Sequence, residues 1–149
     1  MAGWSDLTPE GARYFAQLDE LASYVIKVGF PEGSGGYEDG TTVAEVAAYN
    51  DLGTSTIPAR PFMEQAFNNH GDVMKGLCEQ AQAILSSGGA AQAALDTVGS
   101  GCKALIQAEI VSGGFVPNAP STIRQKGSST PLIDTGTMRG SVSYVIESE

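Results

Sequence analysis

The segment TVAEVAAYNDLGTSTIPARPF, Thr42 to Phe62, joins two predicted helices and sets the direction of the chain between them. Thr42 and Glu45 have the T-x-x-E spacing of a capping box, in which each side chain bonds the backbone of the other residue. Gly53 can adopt a left-handed conformation without steric cost and is expected to end the helix. The segment therefore predicts a short helix that begins after Thr42 and ends at Gly53.

The sequence IPARPF, Ile57 to Phe62, places two prolines around a single arginine. A proline disfavours the helical conformation of the residue before it, so Pro58 and Pro61 predict an extended backbone at Ile57 and Arg60. Pro61 also suits the first turn of a following helix, where its missing N–H is no loss. We expect a stiff elbow at Ile57–Phe62, with Ile57 and Phe62 as its apolar anchors.

The side chain of Arg60 leaves the middle of this elbow, and the sequence allows two interpretations of its charge. Arg60 can pair within the chain, with an acidic side chain or with a carbonyl at a helix end. It can instead contact a neighbouring subunit. Both interpretations stay open on the sequence alone.

Two longer apolar periodicities follow the elbow. The first predicts a helix of about six turns, through Met63, Phe67, His70, Met74, Leu77, Ala81 and Ile84. Gly71 and Gly76 weaken it by roughly 1 kcal/mol each relative to alanine, and the sequence allows a break at NHGD.

The second periodicity predicts a helix over about Ala90 to Val111, with one stripe through Ala91, Leu95, Val98, Cys102, Leu105 and Glu109. Alanines and glycines on both helices permit close approach, so we expect an antiparallel pair.

The remaining regular structure lies near the two ends of the chain. Thr8 and Pro9 are typical of the N-cap and first residue of a helix. The stretches YVIKVGF, from Tyr24, and SVSYVIE, from Ser141, alternate apolar and polar side chains, as strands with one buried face do.

The predicted fold class is α+β. Residues 1–149 are expected to form a single domain, in which a small antiparallel or mixed sheet packs against the long antiparallel helix pair. Residues 31–41 and 112–133 are rich in glycine, proline and serine and lack periodicity, which predicts long, irregular, mobile loops.

The charge of the chain limits the partners that it can hold. It has 8 basic and 17 acidic residues and a net charge of −9. Proteins that grip nucleic acid do so largely through Lys and Arg, so specific DNA binding is not expected. An acidic surface could still line a conduit and repel DNA that slides through it.

The sequence predicts neither a membrane partner nor secretion. No apolar run approaches the roughly 20 residues that span a bilayer. The first residues, MAGWSDLTPE, lack the positively charged region followed by an apolar region that is typical of a signal peptide. Cys78 and Cys102 lie on apolar stripes and are expected to be buried, reduced thiols of a cytoplasmic protein. No metal site and no cofactor are predicted.

Two residues could suggest an enzyme. Asp134 lies in LIDTGT, which matches the Asp-Thr-Gly signature of aspartic proteases, but only 12 residues follow Thr137, too few for the rest of that fold. A simpler interpretation is that Asp134 caps a short turn through Arg139. His70 is the only histidine and is expected to be a satisfied residue at a packing boundary. The sequence therefore predicts no enzyme, and a small enzyme centred on Asp134 or His70 is the alternative of another class.

Two separated blocks, with the strand VIKVGF before them, resemble the neck and tail-completion proteins of tailed bacteriophages. The first block is filled by Ala48, Asp51, Leu52, Gly53, Thr54, Ile57, Pro58, Arg60, Pro61 and Phe62. The second is filled by Pro131, Leu132, Asp134, Thr135, Gly136, Met138, Ser141 and Val142. The glycine-rich loop at 31–40 departs from the family pattern.

The resemblance implies a non-enzymatic subunit of the virion, assembled in the host cytoplasm and placed where head meets tail. Its partners would be copies of itself in a ring, the adjacent head-completion or connector proteins, the tail-terminator or tail-tube proteins, and passing genomic DNA without specific binding. A tail-terminator or head-closure ring subunit is the alternative in the same assembly. The structural-motif residues that could contact other subunits are Ile57, Pro58, Arg60, Pro61, Phe62, Pro131, Leu132, Asp134, Thr135, Gly136, Met138 and Arg139.

Overall fold

A computed structural model describes residues 6–112, 115 and 136–149, and the fold class is α+β as predicted. In these residues the helices are α1 (Pro9–Ala22), α2 (Val43–Leu52), α3 (Phe62–Asn68), α4 (Gly71–Ser86), α5 (Ala91–Ser112) and α6 (Thr137–Gly140). The strands are β1 (Tyr24–Gly29) and β2 (Ser143–Ser148), which pair as a two-stranded antiparallel sheet.

The chain divides into two compact units. Unit 1 contains the chain up to Lys27, Asp72–Cys102 and Tyr144–Glu149. Unit 2 contains Val28–Gly71 and the described part of Lys103–Ser143. The single domain over residues 1–149 stays a prediction.

The core of unit 1 is built from small and branched apolar side chains. Ala81, Leu85, Ala91 and Ala94 form a buried cluster, and α1 packs Tyr14, Leu18 and Leu21 against it. The facing contacts of α4 and α5 run in opposite chain directions: Leu77 lies against Gly101, and the Cys102 Sγ lies 3.7 Å from the Met74 Sδ. These two contacts run in the antiparallel sense, and the long antiparallel helix pair packed against the sheet stays a prediction.

Two glycines of α5 permit close approach within unit 1. A Cβ atom on Gly99 would lie 2.4 Å from the Tyr144 ring, and one on Gly101 would lie 2.4 Å from a Leu77 methyl group. Tyr144 also donates a hydrogen bond from its hydroxyl to the Asp96 carboxylate, at 3.2 Å. The glycines thus have a packing role that outweighs their low helix propensity.

The sheet shows the predicted alternation of faces. Tyr24, Ile26 and Val28 are half-buried, whereas Val25 and Lys27 between them are exposed. On the exposed face, the Lys27 Nζ lies 2.7 Å from a Glu147 carboxylate oxygen.

The helix predicted to run from Met63 to Ile84 is instead two helices. Asn69 ends α3, where its N–H group donates to the Gln65 and Phe67 carbonyls, and α4 begins at Gly71. Asn, His and Gly in succession have low helix propensity, which explains why the break falls at NHGD.

The capping box of α2 is confirmed. The Thr42 hydroxyl accepts from the Glu45 N–H at 3.2 Å, and the Glu45 carboxylate accepts from the Thr42 N–H at 2.8 Å. The bonds from Thr42 hold the pKa of Glu45 below its usual value. Local sequence chemistry thus sets the start of α2.

The loop at 31–41 contains ordered backbone contacts. Gly36 forms an antiparallel bridge with Thr42, and the Tyr37 N–H donates to the Thr41 carbonyl at 2.8 Å. Its mobility stays a prediction. Most of the loop predicted at 112–133 lies outside the described residues.

Candidate functional site

The site is the elbow at Ile57–Phe62 together with the surface of α2 beside it, all within unit 2. The elbow begins with a closed turn. The Thr54 hydroxyl accepts from the N–H groups of Thr56 at 3.2 Å and Ile57 at 3.0 Å, and the Thr54 N–H donates to the Ile57 carbonyl at 2.8 Å. Threonine side chains stabilise turns in this way. The chain therefore enters the elbow along a fixed path.

Gly53 is required by two features of this path. Its φ is +79° and its ψ is 165°, so it ends α2 as predicted but lies outside the left-handed helical region. That combination of angles is accessible almost only to glycine. A Cβ atom at this position would also lie 2.9 Å from the Ala59 nitrogen. Any side chain at residue 53 would push the elbow away from the end of α2.

Arg60 is buried, with 6% of its surface exposed, and both its backbone and its side chain reach Asn50 of α2. Its N–H donates to the Asn50 carbonyl at 2.6 Å, and its guanidinium donates to the Asn50 Oδ1 at 3.4 Å. The Asn50 amide nitrogen in turn donates to the Val46 carbonyl at 2.8 Å, which orients the amide group. Burial lowers the pKa of Arg60, but a guanidinium stays charged at neutral pH.

These contacts favour the intramolecular interpretation of Arg60 over the subunit contact. A buried charge needs hydrogen-bond partners within the protein, and Asn50 supplies one. The Asn50 amide oxygen is one side-chain partner of Arg60, and the Asn50 carbonyl, in the last turn of α2, accepts from the Arg60 backbone N–H.

Pro61 lies one residue before α3, not in its first turn. Its φ of −75° and ψ of 64° are those of an inverse γ-turn, in which the Phe62 N–H donates to the Arg60 carbonyl at 2.7 Å. A proline at the N-cap position has no side chain that can accept from the helix. The Asp51 carboxylate does so in its place and accepts from the Met63 N–H at 3.0 Å.

The two predicted apolar anchors differ in burial. Phe62 is fully buried and meets the Phe30 ring edge to face, with ring centroids 5.9 Å apart. Ile57 is only half-buried, and Pro58 beside it is exposed. The elbow is therefore anchored mainly through Phe62.

An open apolar groove lies beside the elbow, with a volume of about 240 Å³. We call it the α2 groove, and it is lined by Phe30, Ala44, Ala47, Ala48, Asp51, Leu52, Phe62 and Met63. Leu52 is 77% exposed, the highest exposure of any large hydrophobic residue in the described part of the chain. The sequence did not indicate this groove, because the α2 residues VAEVAAYNDL form no clear amphipathic stripe.

The second block of the resemblance is described only in part. Gly136 has a left-handed conformation and precedes α6, in which Met138 is buried and Arg139 is exposed. The Arg139 carbonyl accepts from the Gln107 amide at 3.1 Å. Helix α6 contacts α2, so a described part of the second block lies against the first. Four of the predicted motif residues lie outside the described residues: Pro131, Leu132, Asp134 and Thr135.

His70 has a partner that the sequence did not reveal. Its Nε2 lies 3.1 Å from a carboxylate oxygen of Glu109, whose side chain is 6% exposed. Glu109 lies on the buried stripe predicted for α5, and an acid on an apolar stripe was the signal that could have identified the pair. The two residues satisfy one another at a packing boundary, as expected of His70.

The two cysteines differ, which corrects one prediction. Cys102 is buried, and burial raises the pKa of its thiol, whereas Cys78 is exposed. The α4 stripe runs through Met74, Leu77 and Ala81 and leaves Cys78 outside it.

Among the residues that the structure describes, no group of three or more His, Cys, Asp and Glu side chains could hold a metal ion. No helix within the same residues is long and apolar enough to cross a membrane.

Comparisons with protein-family models, with curated proteins and with solved structures found no match.

Proposed function

We propose that this protein is a non-enzymatic structural subunit of a tailed-phage virion. It forms a ring at the head–tail junction, as a neck or tail-completion protein, joins capsid to tail and lets DNA pass. The observation that carries the proposal is the contact between α2 and α6. A family pattern in two separated blocks is expected where the blocks build one structural element, and α2 and α6 come from the two blocks.

The geometry of the elbow supports a role in assembly. The buried Arg60 and the capped start of α3 fix the backbone, while Leu52 at the end of α2 is left exposed. A rigid frame that presents an apolar surface is typical of a protein that docks on another, because little conformational entropy is lost on binding.

The charge distribution supports a position beside passing DNA. Residues 28–71 contain one basic residue, Arg60, and it is buried. The acidic residues of the same stretch are Glu32, Glu38, Asp39, Glu45, Asp51 and Glu64. An excess of acidic residues repels a polyanion and disfavours its adhesion.

The proposal is tested by finding the protein in the particle. Purified virions are analysed by mass spectrometry, and an antibody against the protein is located on them by negative-stain microscopy. We expect the label at the head–tail junction, and rings or tail-end caps when the purified protein is mixed with tails. The proposal would be contradicted if the protein is produced during infection by a phage but is absent from the purified virions of that phage.

The same label separates head closure from the two layers at the tail end. Tails that lack heads carry a tail-terminator or tail-completion subunit, whereas heads that lack tails carry a head-closure subunit. Labelling of isolated heads alone would favour head closure. Labelling of isolated tails would favour the tail-completion or tail-terminator layer.

A further inference from the structure

The α2 groove is an open apolar feature of the described surface of unit 2. Its floor is apolar, because Phe62 and Ala47 lie there almost fully buried. Its outer wall is Leu52, whose side chain is mostly exposed, and Ala44 and Ala48 leave space between floor and wall. A volume of about 240 Å³ has room for one bulky apolar side chain.

The groove also has a charged side. The Asp51 carboxylate lines it, and one of its oxygens accepts from the Met63 N–H. In the described part of the chain the second oxygen of Asp51 has no hydrogen-bond partner, so it can accept from a ligand. A group that enters the groove meets apolar carbon first and a carboxylate at its edge.

The charged side chain that lines the groove is acidic, the Asp51 carboxylate. Residues 28–71, which include α2, contain six acidic residues and the buried Arg60, and the contacting helix α6 adds the exposed Arg139. Charge complementarity across an interface selects partners, since like charges brought together are strongly unfavourable. The groove therefore disfavours an acidic segment and favours one with Lys or Arg beside its apolar residue.

We propose that the α2 groove binds a short protein segment in which a bulky apolar side chain lies next to basic residues. The apolar side chain fills the space between Leu52 and Phe62, and a basic side chain pairs with Asp51. The assignment of this segment to a neighbouring virion protein rests on the proposed function. The binding chemistry of the groove is independent of that function.

The test uses the full chain and a short fluorescein-labelled peptide, in which one leucine lies between lysines in a serine and glycine background. Fluorescence anisotropy measures the binding. Two control peptides replace the lysines by glutamates or the leucine by serine. We expect both controls to bind at least about tenfold more weakly, and added salt to weaken the binding of the lysine peptide.

Protein variants locate the binding. Leu52→Lys removes the apolar wall and offers Asp51 a competing cation, so we expect a loss of about tenfold or more in affinity. Ala48→Gln fills the groove from an exposed helix position and serves as a second variant. Val73→Lys is the matched control, because Val73 is an exposed apolar residue of α4 outside the groove, and it should bind as the wild type does.

The outcomes separate this inference from the proposed function. Equal binding of the lysine and glutamate peptides would overturn the inference, and so would wild-type affinity in both groove variants. A peptide that binds the groove of a protein absent from virions would retain the inference and overturn the proposed function. Labelled virions together with no peptide binding would retain the proposed function and overturn the inference.

Discussion

The elbow of unit 2 and the α4–α5 contact of unit 1 are held by different kinds of interaction. At the elbow, directional bonds from Asn50 and Asp51 fix a buried charge and a helix start. Between α4 and α5, small apolar residues and Gly101 set the distance by close packing, and Gly99 does the same between α5 and Tyr144 of β2. The first region depends on which atoms donate and accept, and the second depends on volume.

This difference predicts different tolerance to substitution. Packing contacts are shared among many atoms, and a core adjusts to a change of similar volume. A hydrogen-bonded turn has few partners, and a buried group that loses its partner keeps its full desolvation penalty. Substitutions that keep volume but remove a bond should therefore matter more at the elbow.

The largest effect is expected from Gly53→Ala. The new Cβ would meet the Ala59 backbone, and the backbone angles of residue 53 are unfavourable for alanine. The two penalties together should lower the free energy of unfolding by about 4 kcal/mol. Urea denaturation measures the change. Gly40→Ala is the control, because Gly40 also has a positive φ but has open space around it; an equal loss in both variants would show that the contact with Ala59 is unimportant.

Arg60→Ala is expected to lower the free energy of unfolding by about 3 kcal/mol, since it leaves a cavity and an unpaired Asn50 amide oxygen. Arg60→Met keeps most of the volume and should lose less, because an apolar replacement of a buried charge is often tolerated. Thermal unfolding and mixing with tails give the two readouts. A variant that keeps wild-type stability but fails to join tails would instead assign Arg60 to a subunit contact.

Gly99→Ala tests the packed region and should lower the free energy of unfolding by about 2 kcal/mol, because the Tyr144 ring occupies the space of the new methyl group. The matched control is Gly76→Ala on α4, where nothing lies near the added atom. Gly76→Ala should stabilise the protein by about 1 kcal/mol through helix propensity. Changes of the same sign in both variants would contradict a packing role for Gly99.

The smallest effect is expected from Asp51→Ala, which removes the side chain that caps α3 and should lower the free energy of unfolding by about 1 kcal/mol. Asp51→Asn keeps an acceptor oxygen and should recover most of that loss. Chemical denaturation of both variants measures the difference. Equal destabilisation would show that the charge of Asp51, rather than its hydrogen bond, supports the helix.

The features that the sequence predicted correctly depend on neighbours along the chain. The capping box of Thr42 and Glu45 spans one helical turn, and the alternation in β1 needs only its own residues. In each case the interaction that decides the structure lies within a few residues.

The features that the sequence missed depend on partners distant in the chain. Asn50 reaches Arg60 across ten residues, and His70 meets Glu109 across 39 residues. Cys78 is exposed because it lies beside, and not on, the α4 stripe of Met74, Leu77 and Ala81. A pattern within one segment cannot specify which of several polar residues on another segment will approach it.

The position of Asp51 has a consequence for the order in which unit 2 folds. A carboxylate in the last turn of α2 opposes the dipole of that helix, whereas the same charge at the start of α3 favours the other dipole. Asp51 therefore disfavours α2 when that helix forms alone, and its charge becomes favourable only once α3 has formed as well. The end of α2, the elbow and the start of α3 should therefore form and open as one cooperative unit, so that their backbone amides exchange with solvent in a single step.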